Sequence, residues 1–131
     1  MDELPIQSGD DVVRVRQQVR TAAAENGLSL VDQTKLVTAA SELARNTLVH
    51  GGGGRARIEV VKSANGRPGV KLHFADEGPG IADIGLALTD GWTSGNGLGL
   101  GLSGARRLVD EFELDSKPGT GTTVMVVKWS R

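Results

Sequence analysis

The chain has 131 residues with 15 Lys and Arg against 16 Asp and Glu, a formal net charge of −1, so the basic footprint of a nucleic-acid-binding protein is missing. It contains no cysteine, which excludes disulfides, thiolate catalysis and Cys-ligated metal sites. The start, MDELPIQSGDD, is acidic and polar, the opposite of a signal peptide, and no stretch approaches the ~20 apolar residues of a membrane span, so one soluble cytoplasmic domain over 1–131 is expected.

Residues 10–25 read as an amphipathic helix, with Val12, Val15, Val19, Ala22 and Ala23 on one side. Asn26-Gly27 is its stop. A second helix is expected from about Val31 to Val49. Ser29 and Asp32 resemble a capping box, and Leu36, Ala40, Leu43 and Thr47 form its core stripe. The run Gly51–Gly54 ends it. ARIEVVK (56–62) and GVKLHFA (69–75) read as strands, and Asn65-Gly66 between them signals a hairpin. A short helix over 84–88 and a long glycine-rich loop over about 90–101 follow. Leu102–Glu111 reads as a third long helix, and 112–116 and 122–129 as two strands joined by KPGTG. This order predicts an α+β fold, a two-layer sandwich with helices on one face of a largely antiparallel, mixed sheet.

Aromatic residues are only 3% of the chain, so aliphatic side chains must fill the core. The 19 glycines cluster at 51–54, 78–80, 91–104 and 119–121. Glycine weakens helices and strands by roughly 0.5–1 kcal/mol per site, so these clusters are loops with a task.

Four motifs follow one another. Glu42 and Asn46 lie one turn apart at the edge of the apolar stripe of the second helix. An amide oxygen is a magnesium ligand, and a carboxylate beside it can take a proton from an attacking hydroxyl. Asp76-Glu77-Gly78-Pro79-Gly80 follows a strand directly. A carboxylate there can accept the exocyclic amine of adenine, and the glycines let the backbone approach a base. Gly95 to Leu102 alternates glycine and leucine into a helix, whose first N–H groups can bind phosphate. Gly119-Thr120-Gly121-Thr122 precedes the last strand and can set a hydroxyl against a carboxylate. The GLGLSG stretch at 99–104 matches a dinucleotide fingerprint only superficially, because no strand precedes it. No P-loop motif occurs.

In this order the motifs resemble the N, G1, G2 and G3 boxes of the GHKL (Bergerat-fold) ATPase superfamily. SELARNTLVHGGGG, DEGPGIADIGLALTDGWTSGNGLGLGLSGARRLVDEFEL and the terminal VVKW are similar to the RsbT-like serine/threonine switch kinases of bacterial stress signalling. That resemblance implies a Bergerat fold, ATP and Mg2+. It also implies a Ser or Thr of a STAS-domain protein as acceptor, and a PP2C-type phosphatase activated downstream. On the same grounds Glu42 would be the general base, Asn46 the magnesium ligand and Asp76 the reader of adenine. Gly78 and Gly80 would lie beside the base. Gly97, Leu98, Gly99, Leu100 and Gly101 would line the phosphates, and Thr122 would support the adenine carboxylate. Arg45 matches these kinases without an assigned role. Two alternatives remain open: an RsbW-type kinase that sequesters a sigma factor, and a non-catalytic module that binds partners under nucleotide control. His50 is expected to cap the second helix or edge the pocket, and His73 to face away from it, neither being a phosphoacceptor. Trp92 falls in the glycine-rich loop.

Overall fold

The computed structural model describes residues 3–81 and 102–131. Five strands form one sheet in the order β1-β2-β3-β5-β4. They are β1 (Glu3–Ile6), β2 (Gly54–Lys62), β3 (Pro68–Asp76), β4 (Glu111–Lys117) and β5 (Gly121–Trp129). The helices are α1 (Gly9–Glu25), α2 (Leu30–Val49) and α3 (Leu102–Leu108). Every pairing among the described residues is antiparallel, so the expected layering holds and the sheet carries no parallel pair there.

Local chemistry explains the boundaries. Ser8 caps α1 by accepting from the Asp11 N–H at 3.3 Å, and Ser29 caps α2 by accepting from the Asp32 N–H at 3.1 Å. Gly27 follows α1 at φ 82, where a side chain would be strained. The β2–β3 connection closes through Gly66 N–H to the Ser63 carbonyl at 2.9 Å.

Alternation along the strands puts Ala56, Val70, Leu72, Phe74, Val124 and Val126 against the helices, where they are buried. Val15, Val19, Leu36 and Leu43 meet them from α1 and α2 with no more than 1% of their surface exposed. His73 lies between Leu72 and Phe74 and turns to the other face, as expected. Burial, followed by the charge of Lys71, lowers its pKa, against the pull of Glu59.

Two expectations change. α3 stops at Leu108, because the Asp110 N–H bonds the Val127 carbonyl at 2.9 Å and β4 has begun by Glu111. β1 was not anticipated: four residues containing Pro5 show too little alternation to read as a strand. Proline is tolerated there because β1 is an edge, and Ile6 anchors it with no exposed surface. The expected short helix at 84–88 lies outside the described residues.

Candidate functional site

The C-terminal end of α2 meets the end of β3 that carries Asp76. His50 and Gly51 both donate their N–H groups to the Asn46 carbonyl, at 2.9 and 3.1 Å. The chain then reverses through Gly52 and Gly53, both at positive φ, into β2. Gly54 pairs with Asp76 across the sheet, and Asp76 pairs with Thr122 on its other side. Asp76 therefore ends a central strand, flanked by β2 and β5.

Around this carboxylate the backbone is packed too closely for side chains. A methyl group on Gly51 would overlap the Asp76 carboxyl, and one on Gly78 would come within 2.7 Å of Gly51 Cα. The Gly78 N–H donates to Asp76 Oδ1 at 2.9 Å, a turn that aspartate closes with its own side chain. Gly80, at φ 77, runs against the Lys117 carbonyl. The Gly119 N–H donates to the Pro79 carbonyl at 2.7 Å. The D-x-G-P-G and G-T-G-T segments are thus laced together.

Ser116 completes the lacing. Its Oγ accepts from the Ile81 N–H at 2.8 Å, lies 2.8 Å from Thr122 Oγ1, and can donate to the Gly121 carbonyl at 3.1 Å. Thr122 is held from behind by this hydroxyl.

The result is one opening. Leu43, Ile81, Leu102 and Val124 make its apolar walls, Asn46, Asp76 and Thr122 its polar points, and His50 and Gly51 its rim by α2. Apolar walls with a few convergent polar groups are the usual form of a small-molecule site. A flat base can lie between such walls while a carboxylate accepts from its amine.

Asn46, Asp76, Gly80 and Thr122 come together here. Gly78 supports from behind. Glu42, half-buried one turn before Asn46 on α2, lies beside the opening rather than among its lining residues. Gly97, Leu98, Gly99, Leu100, Gly101 and Trp92 lie outside the described residues. Ser116 was missed, since nothing marks it in a strand of ordinary alternation. Gly51 was read only as a helix stop, and its position inside a run of four glycines hid its contact with Asp76.

A second polar cluster lies where α2 begins. Lys128, with 4% of its side chain exposed, sits 3.6 Å from Asp32 and 3.5 Å from Asp110. Arg131 reaches the same two carboxylates at 3.6 and 2.9 Å. Burial alone would raise the Asp110 pKa, but the Trp129 N–H at 2.8 Å and the cations Lys128 and Arg131 bring it below its ordinary value.

The sequence profile of the histidine kinase-, DNA gyrase B- and HSP90-like ATPases matches residues 31–130. The chain belongs to this family. It is 46% identical to the serine/threonine-protein kinase RsbT of Bacillus subtilis (strain 168), over 92% of this chain and 90% of that one. It is 29% identical to an anti-sigma F factor of Thermoanaerobacter sp. (strain X514), over 87% of this chain and 82% of the other. The fold matches the RsbU and RsbW domains of Rv1364c from Mycobacterium tuberculosis with a TM-score of 0.62 at 23% identity, covering all of this chain and 33% of that longer one. The enzyme class is serine/threonine protein kinase, with ATP as the phosphoryl donor. No helix among the described residues is long and apolar enough to cross a membrane.

Proposed function

We propose that this kinase acts in the cytoplasm as one domain and transfers the γ-phosphate of Mg-ATP to a Ser or Thr of a STAS-domain protein, and that its release activates a PP2C-type phosphatase. The observation that carries the nucleotide part is the convergence of Asn46, Asp76 and Thr122 on one apolar-walled opening. The likeness to the serine/threonine-protein kinase RsbT over nine-tenths of the chain supports a Ser or Thr as the acceptor residue.

Asp76 would accept the adenine amine, with Gly80 beside the base, Gly78 supporting the turn and Thr122 held behind the carboxylate by Ser116. Gly97 to Gly101, with Leu98 and Leu100, would follow the phosphates. Asn46 would hold Mg2+ through its amide oxygen; a half-buried amide at the pocket wall fits an ion that keeps most of its waters. The ion would supply charge neutralisation on the phosphates.

Glu42 would take the proton of the acceptor hydroxyl. The bond from that oxygen to the γ-phosphorus forms, the bond to the bridging oxygen of ATP breaks, and ADP leaves. Positioning and electrostatics supply most of the catalysis in such transfers.

Transfer of labelled γ-phosphate to a STAS-domain protein tests this reading, with the acceptor's Ser/Thr→Ala variant as control. Label on the acceptor and none on the control is expected. Nucleotide binding without transfer to any STAS-domain protein would favour a second reading, sigma-factor sequestration, which the likeness to the anti-sigma F factor supports.

A further inference from the structure

Glycines crowd the Asp76 carboxylate, and they are needed there for different reasons. Gly52, Gly80 and Gly121 hold φ angles of 75, 77 and 126, where a side chain is strained. Gly51 and Gly78 hold no positive φ, so contact alone excludes a side chain at these two positions. A methyl group on Gly78 would meet backbone, the Cα and carbonyl oxygen of Gly51, both at 2.7 Å. Gly51 differs. The three atoms nearest a methyl group there all belong to the Asp76 side chain: Cγ, Oδ2 at 2.5 Å and Cβ at 2.7 Å.

A side-chain tip yields where a central strand does not. The Asp76 backbone is paired with Gly54 on one side and Thr122 on the other, while its carboxyl group can turn about two torsions. That turn is stopped from two sides. The Gly78 N–H holds Oδ1 at 2.9 Å, and the bare face of Gly51 stands against Oδ2. Gly51 is itself tied to α2, since its N–H donates to the Asn46 carbonyl at 3.1 Å. A wall fixed on α2 thus meets a rotatable carboxylate on β3.

We infer that Gly51 is a positioning residue for base selection: by carrying no side chain it keeps the Asp76 carboxylate at the angle that accepts a purine's exocyclic amine. This role rests on the reading of Asp76 as the group that meets the base, and deepens it. A methyl group at position 51 turns the carboxyl aside and breaks its bond to the Gly78 N–H. Hydrogen bonds weaken steeply with misalignment, so the turned carboxylate no longer separates a purine that has the amine from one that lacks it. Rotation clears Cγ and Oδ2, and a small shift clears Cβ, so the chain still folds.

The test is calorimetric titration of the whole chain with Mg-ADP and with the Mg complex of purine riboside diphosphate, which lacks only the amine. The unaltered protein is expected to prefer ADP by about ten- to a hundredfold, the worth of a hydrogen bond to a charged group. Gly51→Ala should bring the two affinities to within about threefold of one another, mainly by weakening ADP. Gly52→Ala is the control. Its positive φ makes a side chain strained, but no other atom lies within 4 Å of where the methyl group would stand. It should lower the urea midpoint and keep the preference for ADP. A second pair of variants reads the contact without nucleotide. Asp76→Gly removes all three clashing atoms, so Gly51→Ala should cost stability in the unaltered protein and none in the Asp76→Gly background.

A Gly51→Ala protein that keeps the full preference for ADP, or loses both nucleotides equally, would overturn the role of Gly51. So would a Gly52→Ala protein that loses the preference as well, or a Gly51→Ala cost that persists beside Asp76→Gly. In each of these cases the preference of the unaltered protein would leave Asp76 standing as the reader of the base. No preference in the unaltered protein would remove Asp76 from that role, and Gly51 with it.

Discussion

α2 and β5 run between two polar clusters, one at each end. Where α2 begins and β5 finishes, Asp32, Asp110, Lys128 and Arg131 pair with one another. Where α2 finishes and β5 begins, Asn46, Asp76 and Thr122 converge on an opening with apolar walls. The first cluster is closed: two cations meet two carboxylates, and Lys128 is almost entirely buried. The second is open: its polar groups are oriented by backbone and by Ser116, and face a space they do not fill. A buried charge answered by other charges holds a frame in place. Polar groups gathered around an apolar gap are arranged for something that enters it.

The comparison can be broken by variants that mix the two behaviours. The largest effect is expected from Glu42→Gln, which should lower the transfer rate by about 10²- to 10⁴-fold, the usual contribution of a general base, and leave ATP affinity intact. Single-turnover transfer with separate calorimetry checks this, and full activity would remove Glu42 as the base. Next, Lys128→Met should cost about 3 kcal/mol of stability in urea unfolding, because it strips a partner from buried Asp32. Its folded fraction should bind ATP normally. A large loss of affinity without loss of stability would show that this end belongs to the site.

Asp76→Asn should do the reverse. It should weaken ATP binding by roughly ten- to a hundredfold, the worth of a hydrogen bond to a charged group at about 1.5–3 kcal/mol, with the unfolding midpoint nearly unchanged. Unaltered affinity would mean the opening does not hold adenine. Ser116→Ala should cost about 1 kcal/mol, seen as a few-fold weaker ATP binding as Thr122 and Ile81 lose their anchor. An effect confined to stability would make Ser116 part of the frame only.

The smallest effect concerns pH. The folded Asp110 pKa lies below its ordinary value of 3.8. The group therefore contributes stability at pH above that value and loses it as pH falls through the folded pKa. Asp110→Asn should lower the Tm at pH 7, and the gap to the unaltered protein should narrow near pH 3. A gap independent of pH would show that the ion pairs do not carry the difference.

Much was legible in the sequence because it depends on near neighbours. The 3.6-residue stripe of α2, the alternation of β3 and β5, the Asn65-Gly66 hairpin and the serine cap of α2 are each set within a few residues. The motifs holding Glu42, Asn46, Asp76 and Thr122 were equally visible, because glycine and carboxylate patterns at element ends are local signals.

What tertiary structure decided depends on meetings across the chain. Lys128 shares the inward face with Val124 and Val126, so alternation pointed it at the core. Only the arrival of Asp32, from 96 residues earlier, and Asp110 makes that burial tolerable. Ser116 became part of the site because Ile81 and Thr122 come to it. α3 ended early because β5 offered Asp110 a backbone partner. Gly51 had to lack a side chain because Asp76 is placed against it by β3. The sequence by itself determined two of the helices, the strands other than β1 and the motif-borne polar groups, through periodicity and local hydrogen bonding. Only the fold decided which charges neutralise one another and which groups share an opening, because both depend on distances set by packing rather than by separation along the chain.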